Sequence, residues 1–281
     1  MINDRATIPT APATQRFPAR ASLPVPVRRP SLRSLRALIV PLLLLGLWQW
    51  LVEREVYRRS QLPAPLDVYN AARQLESIDQ LWIHIQISTE RVFQGFLWGA
   101  GIAIAMGLLI GLSGLAAGLL DPTIQAIRAI PSLAWVPLFV LWMGIGEQPK
   151  ITLIAVGVFF PVYTNLVSGI RQVDRKLLEA ASAYGYRRIS LAGEVVLPAA
   201  LPSLFTGLRL GLAQGWLFLV AAELIGASQG LGFLLLDGQN SGRADIIVMS
   251  IIFLAIVGKL TDTLLQVVEH RLLRWTDTVK R

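Results

Sequence analysis

Few side chains in this sequence could do chemistry, and their types and placement exclude most of it. There is no cysteine, which removes disulfides and thiolate metal sites. The two histidines, His84 and His270, stand far apart, which argues against a histidine-based metal centre and leaves no Ser/His/acid set to assemble. Placed in a loop and a tail, both read as solvated side chains. The pattern G-x-x-x-x-G-K-[ST] does not occur, so the chain has no phosphate loop of that kind for ATP. Gly111-Leu-Ser-Gly lacks the lysine such a loop needs. What remains are polar groups set within apolar runs: Gln214 and Glu223 in one, Lys259 and Asp262 in another. An unpaired lysine at the centre of a membrane helix costs roughly 2.5–3.5 kcal/mol, so such groups are functional suspects and are expected to be paired or to face a cavity. Lys259 and Asp262, three apart, fall on one helical face and can neutralise each other. Glu223 either faces an outer opening or bonds a neighbouring helix.

The elements that must hold these groups are membrane helices. Of 281 residues 54% are apolar and 16% charged, with a net charge of +8, whereas a soluble domain carries about 25% charge. The distribution of the positive charge points to the lipid bilayer and away from nucleic acid. Seven arginines fall before residue 37, and most other basic residues lie between apolar stretches or at the C-terminus. Residues 1–36 hold six prolines and almost no acid. They read as a disordered, basic cytoplasmic tail, too long and too broken by proline for the start of a cleaved signal peptide.

Six spans are expected in an all-α polytopic fold. Ala37–Val52 is somewhat short for a span, with Trp48 and Trp50 at its outer end. Val92–Leu112 has 21 residues without a charge and glycines at 95, 99, 101, 107 and 111. Those glycines should face other helices, because small residues let backbones approach where lipid gives no hydrophobic drive. Leu133–Gly146 follows, preceded by Pro131 and interrupted by Pro137, so a broken or re-entrant start is expected. Ile151–Ile170, with a kink expected at Pro161, Leu201–Ile225 and Asp245–Val268 complete the set. Residues 53–90 form an external loop with an amphipathic helix at Val68–Ile78. Arg171, Arg175, Lys176, Arg187 and Arg188 in one loop, and Arg271, Arg274, Lys280 and Arg281 in the tail, place both termini inside. The organisation is then a tail at 1–36, a first span with external loop at 37–87, a transmembrane domain at 88–270 and a cytoplasmic tail at 271–281.

The segment from Gln172 to Gly211 is no ordinary connector. Asp174 reads as a helix N-cap, Leu177, Leu178 and Ala181 as an apolar stripe at helical spacing, and Gly185 as the stop or bend. Tyr186–Ser190 starts a second short helix, and Pro198 and Pro202 mark the next span. A short helix along the membrane, apolar on one face and basic at its rim, suits either lipid headgroups or the groove of a soluble partner.

Within this segment Glu179-Ala180-Ala181, then Gly185, then nine residues to Val195, then Leu197-Pro198 resembles the EAA motif of ABC-importer permeases of the binding-protein-dependent type. The family usually has isoleucine where Val195 stands. The resemblance covers roughly residues 62–276 and implies a type I ABC-importer transmembrane fold in the inner membrane. It further implies that this segment is a coupling helix seated on a cytoplasmic ATP-binding subunit. ATP and Mg would then be bound by that subunit and no cofactor by this chain. A second copy of the chain would complete the channel, and a periplasmic substrate-binding protein would dock outside. Ala180 and Ala181 are small enough for close packing in a groove, and Glu179 can meet a basic group of the partner or cap its own helix. Gln214, Glu223, Lys259 and Asp262 become candidates for the translocation path. The texts at 128–147, 159–170 and 258–262, with the ending Arg271-Leu-Leu-Arg-Trp275, are similar to the nitrate/sulfonate/taurine importers, most of all to aliphatic sulfonate permeases. Arg128 and Arg209 could attract an anion or simply anchor helix ends.

Overall fold

The computed structural model describes residues 32–187 and 189–275. The tail expected at 1–36 lies outside the described residues up to position 31, as do Arg188 and the tail from 276 onward. The chain divides into two compact units, Met1–Gly46 and Leu47–Arg281. In the first, the described part is the start of α1 (Leu32–Glu53), whose Ile39, Val40 and leucines 42–45 are all exposed. A helix with bare leucines on every side is a helix made for lipid.

The second unit holds the end of α1 and ten further helices among the described residues: α2 (Pro65–Glu76), α3 (Gln80–Leu112), α4 (Gly114–Arg128), α5 (Val136–Met143), α6 (Glu147–Arg171), α7 (Arg175–Ala183), α8 (Ile189–Leu191), α9 (Leu197–Gly226), α10 (Leu231–Asn240) and α11 (Ala244–Leu272). Four runs are long and apolar enough to cross a membrane: α3, α6, the stretch Ile189–Gly226 and α11. The 3₁₀ turn Ser132–Trp135 leads into α5, and together they meet α4 at 88°, a broken span or re-entrant element. The third span expected at Leu133–Gly146 is therefore only the second arm of a bent pair. Its first arm, α4, escapes a hydropathy reading because Asp121 and Pro122 interrupt the apolar text.

α6 is the axis of the fold. Leu153, Ile154, Val158, Val162, Tyr163 and Leu166 are completely or almost completely buried, as expected of a helix apolar all round. α3 runs parallel to it. Gly95, Gly99, Gly107 and Gly111 of α3 face Ile154, Val158, Leu166 and Ile170 of α6, so the two helices keep one register over their whole contact. Gly101 departs from the expectation: it is exposed, and a Cβ there would touch nothing within 4 Å. α9 packs antiparallel on the other side, with Gly157 against Phe218, Gly169 against Ser203 and Gly211 against Val158 and Val162. A Cβ at Gly95 would lie 2.5 Å from Ile154 Cγ2. Gly95→Val is therefore expected to destabilise the detergent-solubilised protein by ~1–3 kcal/mol through overpacking; an unchanged thermal unfolding midpoint would mean that α3 and α6 do not approach this closely.

A smaller core joins α2, α3, α10 and α11 through Val68, Ala71, Leu81, Leu231, Leu234, Ile246 and Met249. Trp48 packs at its edge and donates from Nε1 to the Pro63 carbonyl at 2.9 Å.

Candidate functional site

The segment between α6 and α9 folds from local signals. Asp174 caps α7, its Oδ1 accepting from the Lys176 N–H at 2.9 Å. The helix ends three turns' worth of backbone later in a double closure: Tyr186 N–H bonds the Ala181 carbonyl and Gly185 N–H bonds the Ser182 carbonyl, both at 3.1 Å. That pattern needs a left-handed residue after the cap, and Gly185 supplies it with φ +92°. Leu178 turns into the main core and Ala181 is buried within its own chain, whereas Ala180 stays open. The two alanines thus do different work: Ala181 seats α7 on this chain and only Ala180 lies free for a groove. Glu179 does not cap its helix. It accepts from Arg175 Nε at 3.1 Å on the exposed face.

Around this helix large side chains stand bare. Tyr184 is 87% exposed and Ile189 88%, with Leu177 and Tyr186 also exposed. The second helix expected at Tyr186–Ser190 is instead a single turn, Ile189–Leu191, that passes through a π turn at Ala192–Val196 straight into α9. Leu197 N–H reaches back to the Ala192 carbonyl, five residues away. Pro198 is the physical cause: its missing N–H and its ring would clash with the carbonyl of Glu194 in a regular helix. Val195, Leu197 and Pro198 lie half-buried in this turn. Behind it, Asp121 of α4 accepts from Tyr163 Oη at 2.7 Å and from Arg171 Nη2 at 3.0 Å, which ties the bent pair to the end of α6 beside the segment.

At the opposite ends of α3, α6 and α9 lies a buried polar cluster that sequence reasoning missed. Arg91 donates from Nη1 to Glu223 Oε1 and to the Gln229 carbonyl, both at 2.7 Å, and from Nη2 to Glu147 Oε1 at 2.7 Å. Lys150 Nζ joins Glu147 at 3.0 Å. Glu223 is completely buried and accepts from Ser88 Oγ at 2.8 Å and from the Gly232 N–H at 2.7 Å. Of the two readings of Glu223, bonding between helices is the one this geometry fits. His84, expected to be solvated in an external loop, is buried on α3, its Nδ1 accepting from the Gly230 N–H at 2.9 Å. A Cβ at Gly230, with φ +124°, would collide with the Glu223 carboxylate. The available signal was spacing: His84, Ser88, Arg91, Gly95 and Gly99 continue one face of α3.

A third polar group spans α9 and α11. Asp262 accepts from Lys259 Nζ at 3.2 Å, as expected, and from Arg209 Nε at 3.1 Å. Arg209 Nη1 lies 3.7 Å from Glu269. Trp216 Nε1 donates to Thr261 Oγ1 at 3.0 Å and fixes the same two helices. Gln214 is exposed on α9, apart from the Glu223 cluster. Arg128 donates to Gln125 Oε1 at 3.5 Å. Among the described residues no group of three or more His, Asp and Glu side chains is placed to hold a metal ion.

Comparison with known proteins agrees with this architecture. The family described as "Binding-protein-dependent transport system inner membrane component" matches residues 99–274. A Bacillus subtilis protein named as an aliphatic sulfonates transport permease is 40% identical over 87% of this chain and 88% of its own length. An Escherichia coli taurine transport system permease protein is 38% identical over 71% of this chain and 73% of its own length. A chain of the MetNI methionine ABC transporter in an inward-facing conformation has a TM-score of 0.58 at 23% identity, over 73% of this chain and 99% of that one. That likeness carries the fold alone.

Proposed function

The chain belongs to the family of binding-protein-dependent transport system inner membrane components, and from that premise we propose that it is the permease subunit of an ATP-driven importer for a small anion, an aliphatic sulfonate in the first instance. The observation that carries the reading is α7 with its Gly185 stop. A small helix stopped by a left-handed glycine presents Ala180 and Tyr184 unpacked beside one end of the bundle, with Ile189 of α8 exposed just after the stop. Bare aromatic and aliphatic groups of this size suit the groove of a protein partner. The partner is a cytoplasmic ATP-binding subunit that holds ATP and Mg, since this chain carries no phosphate loop. The permease itself is not a catalyst.

A second copy completes the channel, a periplasmic binding protein delivers the solute to the α10 end, and both termini lie inside. Closure of the ATP-binding subunits pushes α7 and turns the cavity outward. Gln214, Lys259 and Asp262 belong to the path, and Glu223 to the framework around it. The sulfonate assignment leans on the relative named for aliphatic sulfonates, and one named for taurine transport favours taurine, itself a sulfonate, as the second reading. Nitrate stays within the same class of small oxyanions.

The test is genetic. A strain without this chain is expected to lose growth on ethanesulfonate as sole sulfur source and to regain it on re-expression. Loss confined to taurine or to nitrate moves the substrate to that solute. Unchanged growth on all three overturns the anion importer.

A further inference from the structure

Lys259 sits near the middle of α11, which is long enough to cross the membrane, and its side chain is 71% exposed. A bare ammonium at that depth does not face lipid; charged groups within spans turn to a water-filled cavity or to a partner charge. Among the described residues its only ion pair is with Asp262, and that carboxylate is shared. Arg209 of α9, itself 37% exposed, takes the other oxygen at 3.1 Å. Two cations thus divide one carboxylate. Arg209 has a second acid in reach, Glu269, whereas Lys259 has no second acid among the described residues, so its charge is the least compensated on this open face. Glu269, the next acid along α11, is 3.7 Å from Arg209, and its Oε2 makes no hydrogen bond. The buried cations among the described residues have partners of their own, Arg91 two carboxylates and a carbonyl, Lys150 the Glu147 carboxylate.

We propose that Arg209 and Lys259 form an intramembrane binding site for the oxyanion of the transported solute, with the Asp262 carboxylate as the group the solute displaces. This deepens the importer reading and rests on it. The chemistry is that of exchange: a sulfonate offers oxygens where Asp262 now offers two, and a guanidinium receives either with the same fork. Asp262 stays tethered to α11 beside the site, so its carboxylate competes with the bound solute for both cations and favours letting it go. The site therefore releases its solute as readily as it takes it, as a conducting path requires. Specificity for a particular chain length would not arise here, which agrees with a binding protein doing the selecting.

The experiment uses the full transporter, with its ATP-binding subunits and binding protein, in liposomes at saturating ethanesulfonate. Lys259→Gln leaves Asp262 paired with Arg209, so a merely structural ion pair predicts a maximal uptake rate near wild type. The site predicts a fall of about tenfold or more, the loss of one charge-assisted contact, with recovery in Lys259→Arg. A second reading uses the same transporter in detergent without binding protein. Ethanesulfonate raises its thermal midpoint, neutral ethyl methyl sulfone does not, and Lys259→Gln abolishes the rise. Wild-type uptake in Lys259→Gln, or a midpoint that moves equally with the sulfone, overturns the site while leaving the importer standing. A wild-type transporter that takes up neither ethanesulfonate, taurine nor nitrate overturns the importer reading itself.

Discussion

Gly185→Val is expected to cut ATP-driven uptake by about tenfold or more while the protein still inserts and folds. A Cβ at Gly185 would meet nothing within 4 Å, so bulk is not the issue; the constraint is its φ of +92°. Holding an L-residue in the left-handed region costs ~1–2 kcal/mol, and more for a β-branched side chain. Each 1.4 kcal/mol is a factor of about ten in a population. The closure of α7 through Tyr186 and Gly185 would therefore be weakened by about that factor, and Tyr184 and Ile189 would lose their common presentation. Gly185→Asn separates conformation from size, because asparagine tolerates this region; it should keep most of the uptake. Fluorescence-detected size-exclusion chromatography monitors insertion, and uptake into vesicles monitors coupling. Normal uptake in the valine variant would remove α7 from the coupling path.

The second large effect is expected at the buried cluster. Arg91→Leu leaves Glu223, which is completely buried, without its cation. Breaking one half of a buried pair costs about 3–5 kcal/mol, since the remaining charge is stranded. The Arg91→Leu protein should therefore be poorly recovered from membranes and should lose most of its thermal stability. Arg91→Leu with Glu223→Leu removes both charges and should be markedly more stable than either single variant, a coupling measurable as a double-mutant cycle. Glu147, also bound to Arg91, keeps Lys150 as a second partner, so its loss is milder. Additive losses in the cycle would mean that Arg91 and Glu223 do not act as a unit.

The two regions differ in how far the sequence discloses them. The segment between α6 and α9 is local: cap, stripe, glycine stop and prolines lie within a few residues of their partners, so their types announce their conformations. Only the junction misleads. A helix was expected at Tyr186–Ser190 with a new span beyond it, because proline ordinarily breaks a helix; the π turn absorbs Pro198 instead. The cluster is the reverse case. Glu90 and Arg91 ended the uncharged window that defined the second span at Val92, so His84 and Ser88 fell into a presumed external loop and Arg91 was left at its edge. Their partners, Glu223 and Gly230, are far away in the chain, and no local pattern reports such a meeting. Lys259 and Asp262 were legible as a pair because they sit three apart on one helix. Arg209, which comes from α9 to share the carboxylate, was not.

The unbroken run from Ile189 to Gly226 has a mechanical consequence. Its 38 residues measure about 57 Å at 1.5 Å each, against roughly 40–45 Å for a bilayer with its headgroups. Such a strut is longer than the bilayer is thick, with Ile189 and Tyr184 at one end and Glu223 anchored near the other. A load applied at the Ile189 end would reach Glu223 as tilt or torsion of one continuous member, with the π turn at Ala192–Val196 as its compliant joint.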